Sequence, residues 1–259
     1  MLERFRKAKA REIRDLETLV SSGGFPAPWT GPRPVFSRAL AEKGPGAVIA
    51  EYKRASPSKG DLNLGLGPAE VAAMYRQAGA AALSVLTEED HFKGRLDFLT
   101  AMLPAGLPML RKDFLFHPLQ VRRTAASPAS ALLLIVRMFA DLAGLQELYR
   151  LSSSLGLECV VEVFDRRDLD LAKAAGARII QVNNRDLETL SIDLATSRDL
   201  IPFKEPGEVW IAASGISRPQ EVAELTGAGF DAVLVGTSLM QSPSPEAALT
   251  ELVHWRSRV

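Results

Sequence analysis

Glu51 and Lys53 stand two residues apart, directly after the apolar stretch Ala47-Val48-Ile49-Ala50. On a strand, that spacing points both side chains to one face. Burying a carboxylate and an ammonium side by side costs several kcal/mol per ion unless they are paired or put to use. Other short apolar runs end in the same manner: on Lys112 in RKDF, on Glu162 in VVEVF, and on Asn183 and Arg185 in VNNRD. A solvated strand end would explain any one of these, but it explains the set poorly. Two later runs end instead on glycine and hydroxyl residues, in ASGIS (213–217) and VGTS (235–238). Glycine lets a backbone approach an anion closely, and N–H groups at the start of a helix hold phosphate oxygens. The pattern predicts a phosphate site beside a cluster of opposite charges.

Such residues need a frame that brings many strand ends to one rim. The β-rich apolar runs are Val48–Lys53, Ala81–Leu86, Met109–Asp113, Ala131–Val136, Glu158–Val163, Arg178–Asn183, Val209–Ser214 and Ala232–Gly236. Between them lie helical stretches such as Pro68–Ala78 and Asp168–Ala175, several ended by Gly-Ala pairs at 79–80, 176–177 and 227–228. Strands alternating with helices indicate parallel βαβ units, and eight of them fit a closed (β/α)8 TIM barrel. An open doubly wound sheet is the alternative, but no G-x-G-x-x-G follows the first strand. In a barrel the active site lies at the C-terminal strand ends, where the charges named above converge. A single barrel domain is expected over 1–259, with residues 1–46 as an N-terminal helical extension. Leu2, Phe5, Ile13, Leu16 and Val20 recur near helical spacing in that extension. The simpler expectation packs this helix on the outside of the barrel; a cap over one mouth is the other.

Lys plus Arg and Asp plus Glu both number 31, a formal net charge of +0 that argues against a nucleic-acid surface. Cys159 is the single cysteine, so no intrachain disulfide forms and a reducing compartment is expected. His91, His117 and His254 match no metal-ligand spacing. No apolar run approaches the ~18 residues of a membrane span. The expectation is a cytoplasmic domain with no membrane or nucleic-acid partner and no metal.

From the first run to the last, the residues resemble the indole-3-glycerol phosphate synthases, a family of tryptophan biosynthesis. The resemblance rests on EYKRASPSKG (51–60), SVLTEEDHFKG (84–94), PMLRKDFLF (108–116), VVEVF (160–164), VNNRDLETL (182–190), ASGIS (213–217) and VLVGTSLM (233–240). It implies ring closure of 1-(2-carboxyphenylamino)-1-deoxyribulose 5-phosphate to an indole, with loss of carbon dioxide and water. By motif position it implies Lys112 as the general acid on the ketone and Glu162 as the general base for dehydration. Lys53 would meet the substrate carboxylate, and Glu51 would hold that lysine and relay protons. Asn183 and Arg185 would orient the substrate, and Phe92, Phe114, Leu133 and Leu187 would wall its aromatic ring. Ser56, Ser214, Gly215, Gly236 and Thr237 would bind the phosphate. No cofactor is implied; a monomer is expected, with at most weak association with other enzymes of the pathway.

The chain departs from that family where a glutamate is usual, at Ala213, and where a glycine precedes the asparagine pair, at Gln181. The two changes are expected to compensate, with the Gln181 amide entering the space a glutamate would have filled. An isomerase-type phosphosugar barrel would share the phosphate loops but has no need of the Glu-x-Lys and Arg-Lys-Asp-Phe sets. A non-catalytic or weakly active phosphosugar-binding barrel is the remaining alternative, to which the missing carboxylate at 213 lends weight.

Overall fold

The computed structural model describes residues 2–186 and 189–257. Two helices come first, α1 (Leu2–Ser21) and α2 (Phe36–Lys43). The strands follow as β1 (Ala47–Tyr52), a small antiparallel hairpin of β2 (Ala55–Ser56) and β3 (Gly60–Asp61), then β4 (Ala82–Leu86), β5 (Met109–Lys112), β6 (Ala131–Ile135), β7 (Glu158–Val163), β8 (Ile179–Asn183), β9 (Val209–Ala213) and β10 (Ala232–Val235). All but the hairpin are parallel and close into one barrel, each pairing with the next and β10 pairing back onto β1. Each apolar run of the sequence is therefore a strand, and most bounds agree to within a residue. Lys53, Ser214 and Gly236 stand just beyond their strands, in the loops at the C-terminal rim. No described helix is long and apolar enough to cross a membrane.

Alternation divides the core in two. Val48, Ala50 and Tyr52 of β1 point outward into the layer between strands and helices, with Val161 and Val163 of β7. Ile49, Leu110, Leu133, Val160, Ile179, Ile211 and Leu234 fill the barrel. Its N-terminal end is plugged by α2, whose Phe36 and Leu40 join the inner cluster. Glu158, at the start of β7, accepts hydrogen bonds from the Phe36 and Ser37 backbone N–H groups at 2.6 and 3.1 Å. A carboxylate there answers the unpaired N–H groups and partial positive charge of a helix start.

The Gly-Ala stops hold at Gly79 and Gly176, both at positive φ. The third differs, because Gly227 and Ala228 lie inside the helix Pro219–Ala228 and Gly229, at φ 116°, ends that helix.

The long first helix does more than pack on the outside. Phe5 stacks on Phe114 with centroids 3.8 Å apart, over the C-terminal mouth, and Arg6 donates to the Met138 carbonyl just past β6. One turn on, Lys9 Nζ reaches Asp113 Oδ1 at 2.6 Å and Glu12 Oε2 at 2.9 Å. Arg111 adds contacts to Glu12 and Asp113, both at 3.0 Å, and Thr87 donates to the same aspartate. Lys9, Arg111 and Asp113 are all buried. Burial alone would raise the Asp113 carboxyl, but Lys9 and Arg111 outweigh it and hold it far below the ordinary carboxylate range. The helix thus caps the mouth, which hydrophobic spacing could not decide between.

Removing one partner of a buried charge cluster strands the others. Asp113→Ala should destabilise the fold by about 3–5 kcal/mol, and Lys9→Met by clearly less, since Arg111 still faces the aspartate. Urea denaturation checks the order. A carboxyl depressed by folding stabilises above its unfolded pKa of ~3.9 and loses that contribution as pH falls toward its folded value. Unfolding free energy should therefore begin to drop below about pH 5 and go on dropping below about pH 3, and drop less in Asp113→Asn.

Candidate active site

Strand alternation aims Glu51, Lys112, Glu162 and Asn183 into one cavity at the C-terminal mouth, together with Lys53, Ser56, Arg185, Ser214 and Thr237 from the loops above. Phe92, Phe114 and Leu133 form an apolar side of the same cavity. Gly215 and Gly236 line its continuation between the loops that follow β9 and β10. The residues singled out from sequence are thus brought together, except Leu187, which lies outside the described residues.

Glu51 is 4% exposed, and its surroundings explain how a charge survives there. Lys53 Nζ lies 2.9 Å from Oε1, and the Ser84 hydroxyl, opposite on β4, donates to Oε2 at 3.2 Å. Burial would raise this carboxyl, but Lys53, then Lys112, and these hydrogen bonds together hold it below the ordinary range. It is an anion seated between two lysines. The second pair is looser: Lys112 Nζ is 3.9 Å from Glu162 Oε2, outside hydrogen-bond distance.

The loops are built to present their ends. Asn183 Oδ1 accepts the Arg185 backbone N–H at 3.0 Å, and the Arg185 guanidinium donates to the Leu190 carbonyl at 2.9 Å. Asn184 turns away and ties the loop to Ser197 and to the Ser214 carbonyl. Ser214 and Gly215 follow one another at φ 70° and 82°, a turn in which a side chain at 215 would also strike Ile192. The Ser56 hydroxyl is buried without a hydrogen-bond partner in the protein. An unpaired donor facing the cavity suits an anion placed there. Among the described residues no group of three His, Cys, Asp or Glu side chains could hold a metal ion.

Three features were not read from the sequence. Phe5 lines the cavity from the first turn of α1, a contact across more than a hundred residues that no local pattern signals. Ser84 lies in the SVLTEEDHFKG run, and nothing in the sequence marks it as the partner of Glu51. Gln181 does not enter the space beside Ala213. Register pairs it with Glu162 and Ile211, one step deeper than the Asn183–Ala213 pair, and its amide donates to Glu162 Oε2.

Gly236 carries a constraint of its own. A Cβ there would lie 2.9 Å from the Glu51 Cβ and nearer still to its Oε1. Gly236→Ala should push Glu51 off its seat and lower kcat by about a hundredfold, the scale of an ångström's misplacement in an active site. Steady-state kinetics beside a melting curve would separate this from loss of fold.

The fold and the sequence each have known counterparts. Solved barrels of similar shape include 3-hexulose-6-phosphate synthase from Salmonella typhimurium (TM-score 0.65, 13% identity, 82% of this chain and 99% of that one). Thiamine phosphate pyrophosphorylase from Pyrococcus furiosus is another (TM-score 0.62, 14% identity, 85% and 98%). At such identities the likeness is one of fold alone. Closer in sequence are indole-3-glycerol phosphate synthases from Dehalococcoides mccartyi strain CBDB1, 43% identical over 86% of this chain and 87% of the relative, and from Aquifex aeolicus, 44% identical over 84% and 85%. That from Acinetobacter baylyi is 40% identical over 95% of this chain and 89% of the relative. The family model described as indole-3-glycerol phosphate synthase matches residues 2–252. With this agreement along nearly its whole length, the chain belongs to the indole-3-glycerol phosphate synthase family.

Proposed function

We propose that this cavity performs the family's ring closure with Lys112, Glu162, Glu51 and Lys53 as its working groups. The observation that carries the assignment is the unequal pairing of the four charges. Lys53 and Glu51 are closed together at 2.9 Å, whereas Lys112 and Glu162 stay apart at 3.9 Å, each free to meet a substrate. The substrate's aromatic ring lies against Phe92, Phe114 and Leu133. Its phosphate is held by Ser56 and by Ser214, Gly215, Gly236 and Thr237. Asn183 and Arg185 orient the chain between the two ends.

Lys112 gives a proton to the ketone oxygen as the ring carbon bearing the carboxylate bonds to the ketone carbon. Carbon dioxide then leaves, and the bonding pair it leaves behind restores the aromatic ring. Lys53 faces the carboxylate until that point. The new hydroxyl departs as water with a proton relayed by Glu51, balanced by the proton that Glu162 removes from the neighbouring carbon. Each positioned acid or base contributes about 10²–10⁴-fold to such steps. The family's glutamate is replaced by Ala213, so these two carboxylates carry all the proton transfer left to carboxylates, and turnover is slower than with a third. The enzyme acts as a cytoplasmic monomer on a small phosphorylated substrate, without a cofactor and with no more than weak association with other enzymes of its pathway.

Incubation with the carboxyphenylamino-deoxyribulose phosphate should produce indole fluorescence. Lys112→Ala should lower kcat by about 10²–10⁴-fold while substrate still binds. A variant within a few-fold of the unmodified protein would remove Lys112 from the role. Phosphate binding with no fluorescence from the unmodified protein would favour the non-catalytic barrel, which the alanine at 213 makes the one competing reading.

A further inference from the structure

We infer that Gln181 is a positioning residue for this reaction, holding Glu162 away from Lys112 so that acid and base do not neutralise each other. The inference rests on Glu162 being the base, as proposed above. Gln181 sits beside Glu162 on the neighbouring strand, faces the barrel interior and is 0% exposed. Its Nε2 donates to Glu162 Oε2, the same oxygen that Lys112 Nζ approaches to 3.9 Å. In the other lysine–carboxylate pair of the cavity the neighbouring donor, Ser84, holds Oε2 of Glu51 and leaves Oε1 to the lysine. Lys53 and Glu51 close to 2.9 Å. An ammonium in direct contact with a carboxylate in a water-poor site keeps its charge but is a poorer proton donor to a substrate. With one Glu162 oxygen already taken by the amide, Lys112 stays outside hydrogen-bond distance.

The other end of the amide argues in the same direction. Gln181 Oε1 is buried without a hydrogen-bond partner in the protein. A half-satisfied amide inside a barrel weakens the fold, and an apolar side chain of similar shape would not. Packing therefore does not account for a glutamine here. It does not line the cavity either, so its effect on the reaction passes through Glu162.

The test is Gln181→Met, which keeps the shape and removes both ends of the amide, with Gln181→Leu measured alongside should the thioether pack badly. The expected result is a melting temperature equal to or above that of the unmodified protein. In the same variant, kcat should fall about tenfold or more at little-changed KM, as positioning losses do. In a Glu162→Gln background the same substitution should change the residual kcat by no more than about twofold, because nothing is left to position. Unchanged kcat in both single variants overturns the proposal, as does an equal loss in both backgrounds, which is the signature of packing. A lowered melting temperature in both variants also overturns it, by making Gln181 a stabilising residue. If Glu162→Gln alone keeps full turnover, the role of Glu162 falls first and that of Gln181 with it.

Discussion

One buried carboxylate, Glu51, sets the terms for the mouth of this barrel. At 4% exposure it must be paired, and the groups that pair it come from three directions. Lys53 reaches back from the loop above, Ser84 reaches across from β4, and Gly236, just past β10 on the other side, leaves out a side chain to make room. Closing the barrel is what puts β10 and β4 on either side of β1. The charge is therefore tolerated only in the finished fold, and the residue types at one neighbouring and two distant positions are tied to it. Such a site is costly to stability and useful to chemistry, since the same lysines that keep Glu51 ionised are the cations a phosphorylated acid would meet.

The strand that carries Lys112 works on both of its faces. Lys112 points inward to the cavity, while Arg111 beside it points outward under the helix Pro118–Ala125, donating to the Gln120 carbonyl and the Thr124 hydroxyl. Asp113 next in line receives Lys9 from α1. Three successive charged residues thus fix the first helix to the strand end and fix the strand end for the reaction. The same latch brings Phe5 onto Phe114, so the apolar wall of the cavity rests on an ion cluster at the rim beside it. A helix that looked like outer packing contributes to the site because its anchor is at the rim.

Gln181 and Ala213 fall on adjacent strands, yet the glutamine does not fill the space beside the alanine. Ala213 lies level with Asn183, and Gln181 one pleat deeper, level with Glu162. Two residues along a strand is about 6.6 Å, further than a glutamine amide turned sideways to Glu162 can also serve. Register, not volume, decided which neighbour the new side chain would meet.

What the sequence by itself determined is what depends on neighbours along the chain. Strand alternation and helix punctuation are local properties, so the eight apolar runs, their inward and outward faces and the rim on which Glu51, Lys112, Glu162 and Asn183 gather are legible in the chain alone. The glycine-hydroxyl turns were legible for the same reason. What only the tertiary structure decided are contacts between segments far apart in the chain: Phe5 over the mouth, Ser84 on Glu51, the Lys9–Asp113 latch and the turn of Gln181 toward Glu162. Each depends on barrel closure and strand register, which arise from the packing of all eight strands at once. Periodicity says which face a residue takes, and register says whom it meets there.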